Sequence, residues 1–236
     1  MDGEFDWGFH CLLQSKNNAK EVTIHLQTTV RERWMLLNKS GGQNTPKEFT
    51  RDFANFISIF VAPPTVAIIA TICFSLWSPI GLGSLSAPFT ILVCFLCFAL
   101  FPFLAILYFK HKKVVDIYVS ERTSRTPFFL IAIASYSAAS IIFALTETRI
   151  MFLLALGSLF VSIIAMGINM FWKVSIHTAG VTGPIFALVY VFGVGALPLA
   201  TIVGLVGWSR IKLKNHTFGQ TLAGTLLSLS VGIVLF

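Results

Sequence analysis

The sequence predicts an all-α, polytopic bundle of about seven transmembrane helices, and three observations lead there. The 236 residues are 56% hydrophobic and only 11% charged, whereas a soluble domain carries about a quarter charged residues. The apolar residues come in continuous runs rather than in the strict alternation of a membrane strand. In lipid only helices and closed barrels satisfy every backbone polar group, so these runs read as helices. Finally, threading seven spans puts all but one of the seventeen Lys and Arg residues on the same side of the bilayer.

The elements follow in chain order. Residues 1–52 form a polar N-terminal leader and linker. Its middle fits neither the helix nor the strand period, Asn38 to Pro46 reads as a flexible linker, and Lys47 to Phe53 begins an amphipathic approach to the membrane. The leader has no apolar core of signal-peptide length, so the first span is expected to act as the insertion signal. The membrane domain, residues 53–236, holds apolar runs at Ala54–Trp77, Ala87–Phe109, Pro127–Leu145, Ile150–Trp172, Ala179–Val194, Ala196–Trp208 and Phe218–Phe236. Pro63-Pro64 predicts a kink in the first. The fifth and sixth fall short of the roughly 20 residues a helical span needs. Joining them would place Gly193, Gly195 and Pro198 inside one helix, so a tight turn is predicted between them.

Charge supports that turn. The leader, the loop holding Lys110, Lys112, Lys113, Arg122 and Arg125, then Lys173, and finally Arg210, Lys212 and Lys214 all share one face, leaving Arg149 on the other. Positive charge marks the cytoplasmic side, so the N-terminus and charged loops are expected there and the C-terminus opposite. The net charge of +7 is thus a topology signal, and no nucleic-acid partner is expected. Cys73, Cys94 and Cys97 lie in apolar runs and read as small core residues. Cys94 and Cys97 form a CxxC, but no His or acidic ligand lies nearby.

The charged face also carries chemistry. His177 opens the fifth span and His216 precedes the seventh, accompanied by Lys173, Ser175 and Arg210. Any one such interfacial side chain simply snorkels toward headgroups. Together, at the ends of two helices that pack as a hairpin, they form an anion pocket with two groups able to move protons.

Ser209-Arg210, five residues, His216, three residues and Gln220, with Ser175-x-His177 upstream, resembles the second and third signatures of the type 2 phosphatidic acid phosphatase superfamily, the membrane lipid phosphate phosphatases. The resemblance covers Phe171–Phe236 and implies a six-helix phosphatase-like core plus one span. It implies that His216 is the nucleophile that becomes phosphohistidine, that His177 protonates the leaving oxygen, and that Arg210 clamps the phosphate with help from Lys173, Ser175, Arg122 and Arg125. Gln220, four residues after His216, is expected on the same helical face, holding the second ring nitrogen. No metal and no cofactor are expected. The partners implied are membrane lipids and a lipid phosphate substrate, such as an isoprenoid diphosphate or phosphatidate.

Three departures stand out. Val174 and Ile176 replace the Pro and Gly of the second signature, Gln220 replaces an Asp, and the first signature, Lys-x6-Arg-Pro, has no match at its spacing. Arg122, Arg125 and Lys173 are taken to supply those cations instead. Two other classes share the substrate type. A membrane prenyltransferase would need paired Asp-rich magnesium motifs, and the span-side acids here are Asp116, Glu121 and Glu147. A non-catalytic relative would bind lipid phosphate without turnover. Asp116 and Glu121 read as solvated loop charges.

Overall fold

The computed structural model describes residues 46–111 and 125–236. The leader before Pro46, and Arg122, Asp116, Glu121, Lys112 and Lys113 in the second charged segment, lie outside these residues. The bundle belongs to a compact unit that begins at Thr50.

Among the described residues all regular structure is helical. The helices are α1 (Pro46–Phe60), α2 (Pro63–Trp77), α3 (Ala87–Cys94), α4 (Phe101–His111), α5 (Thr126–Leu145), α6 (Arg149–Phe171), α7 (Ile176–Phe192), α8 (Ala200–Lys212) and α9 (Phe218–Leu235). A π-helical stretch, Phe95–Leu100, joins α3 to α4, and a 3₁₀ stretch, Gly193–Leu199, joins α7 to α8. Five of the resulting runs are long and apolar enough to cross a membrane, or six if the bent α1–α2 pair is one span. Large apolar side chains such as Phe56, Phe60, Phe89, Phe103, Leu130, Ile141 and Phe171 stand exposed on them. They are the helices of an integral membrane protein.

The first apolar run, expected as one kinked span, is instead two helices meeting at 53°. Pro63 and Pro64 open α2, where the missing N–H groups cost nothing, and the same rings prevent α1 from continuing. The break rests on α7. A Cβ built on Gly180 would lie 2.7 Å from Pro63 Cβ, so only glycine admits that approach.

The π-helical stretch has a comparable cause. Phe101 N–H donates to the Leu96 carbonyl, one residue farther back than in an α-helix. The next donor would be residue 102, which is a proline. The Cys97 carbonyl is taken by Ser135 Oγ of α5 at 2.7 Å.

The expected turn between the fifth and sixth runs is present. Gly193 adopts φ 72°, a left-handed conformation that glycine enters without penalty. The 3₁₀ segment then reverses the chain. α8 returns along α7, with Gly207 close enough to Thr178 that an added Cβ would meet its Cγ2 at 3.8 Å. Val181 and Ile185 of α7 pack with Val206 of α8 in the seam between them. A larger core is built from Phe74, Cys94, Phe98, Phe143, Met151 and Leu154. Cys94 and Cys97 are buried there as free thiols, with Thr71 Oγ1 2.9 Å from Cys94 Sγ.

Candidate functional site

Five chain segments meet where α5, α7 and α9 begin and α6 and α8 end. The local geometry starts at the end of α8. Its last turn closes with the Lys214 N–H on the Ile211 carbonyl at 2.9 Å and the Asn215 N–H on the Arg210 carbonyl at 3.0 Å, the pairing of a Schellman motif. Lys214 occupies the left-handed position at φ 57°. The His216 N–H also reaches the Arg210 carbonyl, at 3.3 Å. The five-residue spacing between Arg210 and His216 is therefore the length of one helix-terminating turn, which folds the histidine back over the arginine.

His216 precedes Thr217, the N-cap of α9, so it is not on the helix. The expectation that His216 and Gln220 share a helical face is corrected here, although the pair does meet. Gln220 is the third residue of α9 and the far member of a capping box: its N–H donates to Thr217 Oγ1 at 3.4 Å, and its Oε1 accepts from the Thr217 N–H at 3.2 Å. The same Oε1 lies 3.1 Å from His216 Nδ1. Because the backbone N–H of Thr217 requires an oxygen there, the amide orientation is set and Nδ1 must carry the proton. Nε2 is left with the lone pair.

The second strip of the site is the turn from α6 to α7. Ser175 caps α7, its Oγ accepting from the Thr178 N–H at 3.4 Å, while its own N–H donates to the Gln220 carbonyl at 3.1 Å. Thr178 Oγ1 bonds the Ser175 carbonyl at 3.1 Å and the Thr221 carbonyl of α9 at 3.0 Å. The two helix starts can lie this close because α9 presents Gly224. A Cβ there would run into the Ser175 carbonyl oxygen and lie 2.6 Å from Thr178 Oγ1. With its amide committed to Gln220, Ser175 retains its hydroxyl hydrogen for any further acceptor. Val174 is fully buried against Phe129 and Ala165.

The cations converge on these histidines. Arg210 is 2% exposed and Arg125 8%, which separates them from Lys212 and Lys214 on the same face, both exposed. Arg125 Nη1 donates to the Val174 carbonyl at 3.4 Å. Arg210 Nη1 donates to Ser58 Oγ of α1 at 2.6 Å. Arg125, Arg210 and half-buried Lys173 act together on His216. Burial first, and then these three charges, push its imidazole down to about 3, opposed by the Gln220 hydrogen bond. His216 is thus held neutral near pH 7. Arg210, His216 and Arg125 also lie within electrostatic reach of His177, the second residue of α7. Two helix N-termini, those of α7 and α9, open onto this cluster and favour negative charge.

The structure therefore brings together Arg125, Lys173, Ser175, His177, Arg210, His216 and Gln220. Arg122 lies outside the described residues. Ser58, Thr178 and Gly224 escape a reading by motif, because a serine or threonine in an apolar run carries no spacing signal. The cluster gathers buried positive charge, an unprotonated ring nitrogen and a second imidazole in one place. The chain matches no protein-family model, no curated protein and no solved structure.

Proposed function

We propose that this chain is a membrane lipid phosphatase that releases phosphate from a lipid phosphate or isoprenoid diphosphate through a phosphohistidine intermediate. The observation that carries the reading is the meeting of a neutral His216, its Nε2 lone pair available, with two buried arginines that have come from α8 and the start of α5. Phosphoryl transfer asks mainly for positioning and for charge stabilisation of the equatorial oxygens, which a guanidinium fork supplies.

The substrate binds with a proton that passes to His177 as the anion offsets the surrounding cations. In the first step the His216 Nε2 lone pair forms a bond to phosphorus. The ester P–O bond breaks, its electron pair leaves with the oxygen, and that oxygen takes the proton from the His177 imidazolium. Water then attacks the phosphorus, giving its proton to His177, and the N–P electron pair returns to Nε2. Arg210, Arg125, Lys173 and the Ser175 hydroxyl hold the phosphoryl oxygens throughout. The proposed topology counts α7 and α8 as separate crossings, giving seven spans, with the charged loops and N-terminus cytoplasmic.

One observation favours a second reading, a lipid-phosphate-binding relative without turnover. The group on His216 Nδ1 is the neutral amide of Gln220, which does not offset the charge that the imidazole gains in the reaction as a carboxylate would.

The test is phosphate release by the full chain in detergent, with farnesyl diphosphate and phosphatidate as substrates. Release is expected with chelator present, falling by roughly 10³-fold or more in His216→Ala. Release that survives His216→Ala removes the assigned nucleophile. Binding without release selects the second reading, and strict magnesium dependence would point to prenyl transfer.

A further inference from the structure

Ser58 belongs to α1, the described helix farthest in sequence from His216. It lies three residues before the break at Val61-Ala62 and is 3% exposed. The stripe that this stretch of α1 buries consists of Ala54, Ile57 and Ser58, while Phe53, Phe56, Ile59 and Phe60 are exposed. Ser58 is the polar member of an otherwise apolar stripe.

A buried hydroxyl in a membrane helix has an undemanding use, which is to bond the carbonyl one turn back. Several in this molecule do so: Thr71 to Ala67, Ser140 to Tyr136, Ser158 to Leu154 and Thr182 to Thr178, all at 2.7–2.8 Å. Ser58 is used differently. Its oxygen accepts from a guanidinium 152 residues away, at 2.6 Å, on a nitrogen of the same Arg210 that closes over His216. A carboxylate in this place would also orient the arginine, but it would cancel the charge that an anion needs. A hydroxyl fixes the direction and leaves the charge intact.

The serine is itself well placed. Pro63, at the start of α2, sits against Gly180 of α7, three residues after His177 and hence one turn along the same helix. The break that aims α1 toward Arg210 is therefore seated on the helix that carries the second histidine.

We propose that Ser58 is a positioning residue for phosphate: delivered by the bent first helix pair, its Oγ holds the Arg210 guanidinium toward the two histidines without neutralising it. The proposal rests on the reading of this cluster as a lipid-phosphate site.

The experiment uses the full chain in detergent micelles and the variants Ser58→Ala, Ser58→Thr, Arg210→Ala and Ser58→Ala/Arg210→Ala. Two quantities are read: kcat and KM for phosphate release from farnesyl diphosphate, and the inorganic phosphate concentration that half-saturates the rise in thermal midpoint. Ser58→Ala should raise KM and the half-saturating phosphate concentration by roughly tenfold or more, the scale of one hydrogen bond to a charged group. Its phosphate-free midpoint should fall by no more than the loss of one charge-assisted hydrogen bond, and Ser58→Thr should recover both the midpoint and phosphate binding, the latter to within about twofold of wild type. In the Arg210→Ala background, Ser58→Ala should add nothing, because the partner is gone.

Unchanged phosphate dependence in Ser58→Ala overturns the proposal, as does an effect that persists without Arg210. Should Ser58→Ala fail to fold, Ser58→Cys is judged by the same thresholds. If wild type binds inorganic phosphate but releases none from lipid substrates, the hydrolase reading falls and the binding arm still decides the role of Ser58. If wild type neither binds nor hydrolyses, both fall.

Discussion

The two ends of α6 use the same device for different purposes. At its N-terminal end, Ser84 meets the Thr146 carbonyl with both its N–H and its hydroxyl at 3.0 Å, and Thr148 Oγ1 meets the Leu82 carbonyl at 2.8 Å. At its C-terminal end, Thr178 and Ser175 meet the carbonyls of Thr221 and Gln220. Both sets tie together loops or helix ends that are distant in sequence, and both do so through bonds to backbone carbonyls. What separates them is charge. At the first end Glu147 and Arg149 stand exposed, whereas at the second Arg125, Arg210 and His216 are buried. Hydrogen-bonded closure is thus a general need of the bundle. Buried cations require a further reason, and the proposed phosphate substrate would supply one.

The charged end of α6 is most sensitive at Arg210. Arg210→Lys keeps the charge but loses the planar fork and its fit to both Ser58 and phosphate, so phosphate release should fall by about 10²-fold. Arg149→Lys should leave it unchanged. A substrate titration with both variants reads the difference.

Next comes Gly224→Ala, which pushes α9 against the Ser175 carbonyl. It should cost roughly 1–3 kcal/mol by thermal unfolding in detergent, with activity falling in step as Ser175 and His177 move away from His216.

The pH dependence of stability is a smaller effect. Folded His216 titrates near 3 and an ordinary imidazole near 6.5, so between these values the unfolded chain holds the extra proton. The contribution of His216 is fully present above 6.5 and is lost progressively as pH falls toward 3. His216→Gln should flatten that decline, seen as a smaller difference in thermal midpoint between about pH 6.5 and 4.5.

The smallest change is expected at the N-terminal end of α6. Thr148→Val removes the bond to Leu82 and should cost about 1 kcal/mol of stability while leaving phosphate release at the wild-type rate.

Much of this architecture could be read from the chain. The continuous apolar runs reveal the helices, and Gly193 with Pro198 marks the reversal, because helix breakers act locally and so leave a local signal. His177, Arg210 and His216 stand out because cations and imidazoles are rare in this apolar sequence. The break at Val61-Ala62 was legible as a proline position but not as a 53° bend, since the angle depends on Gly180, more than a hundred residues later. The role of Gln220 was legible as a contact and misplaced as helical geometry, because a spacing of four also runs from the residue before an N-cap to the far member of its capping box. Ser58 was not legible at all. Nothing in Ile57-Ser58-Ile59 distinguishes it from the serines that bond their own helix.

The separation of Ser58 from Arg210 also sets an order in time. A ribosome extends the chain by about 5–20 residues per second, and 152 residues separate the two partners. The serine is therefore synthesised roughly 8–30 s before its arginine. Through that interval α1 and α2, each 15 residues long and so about 22 Å in length, lack the finished α7 on which their break will rest. A chain cut short before α8 would hold the first helix pair without the guanidinium that Ser58 receives.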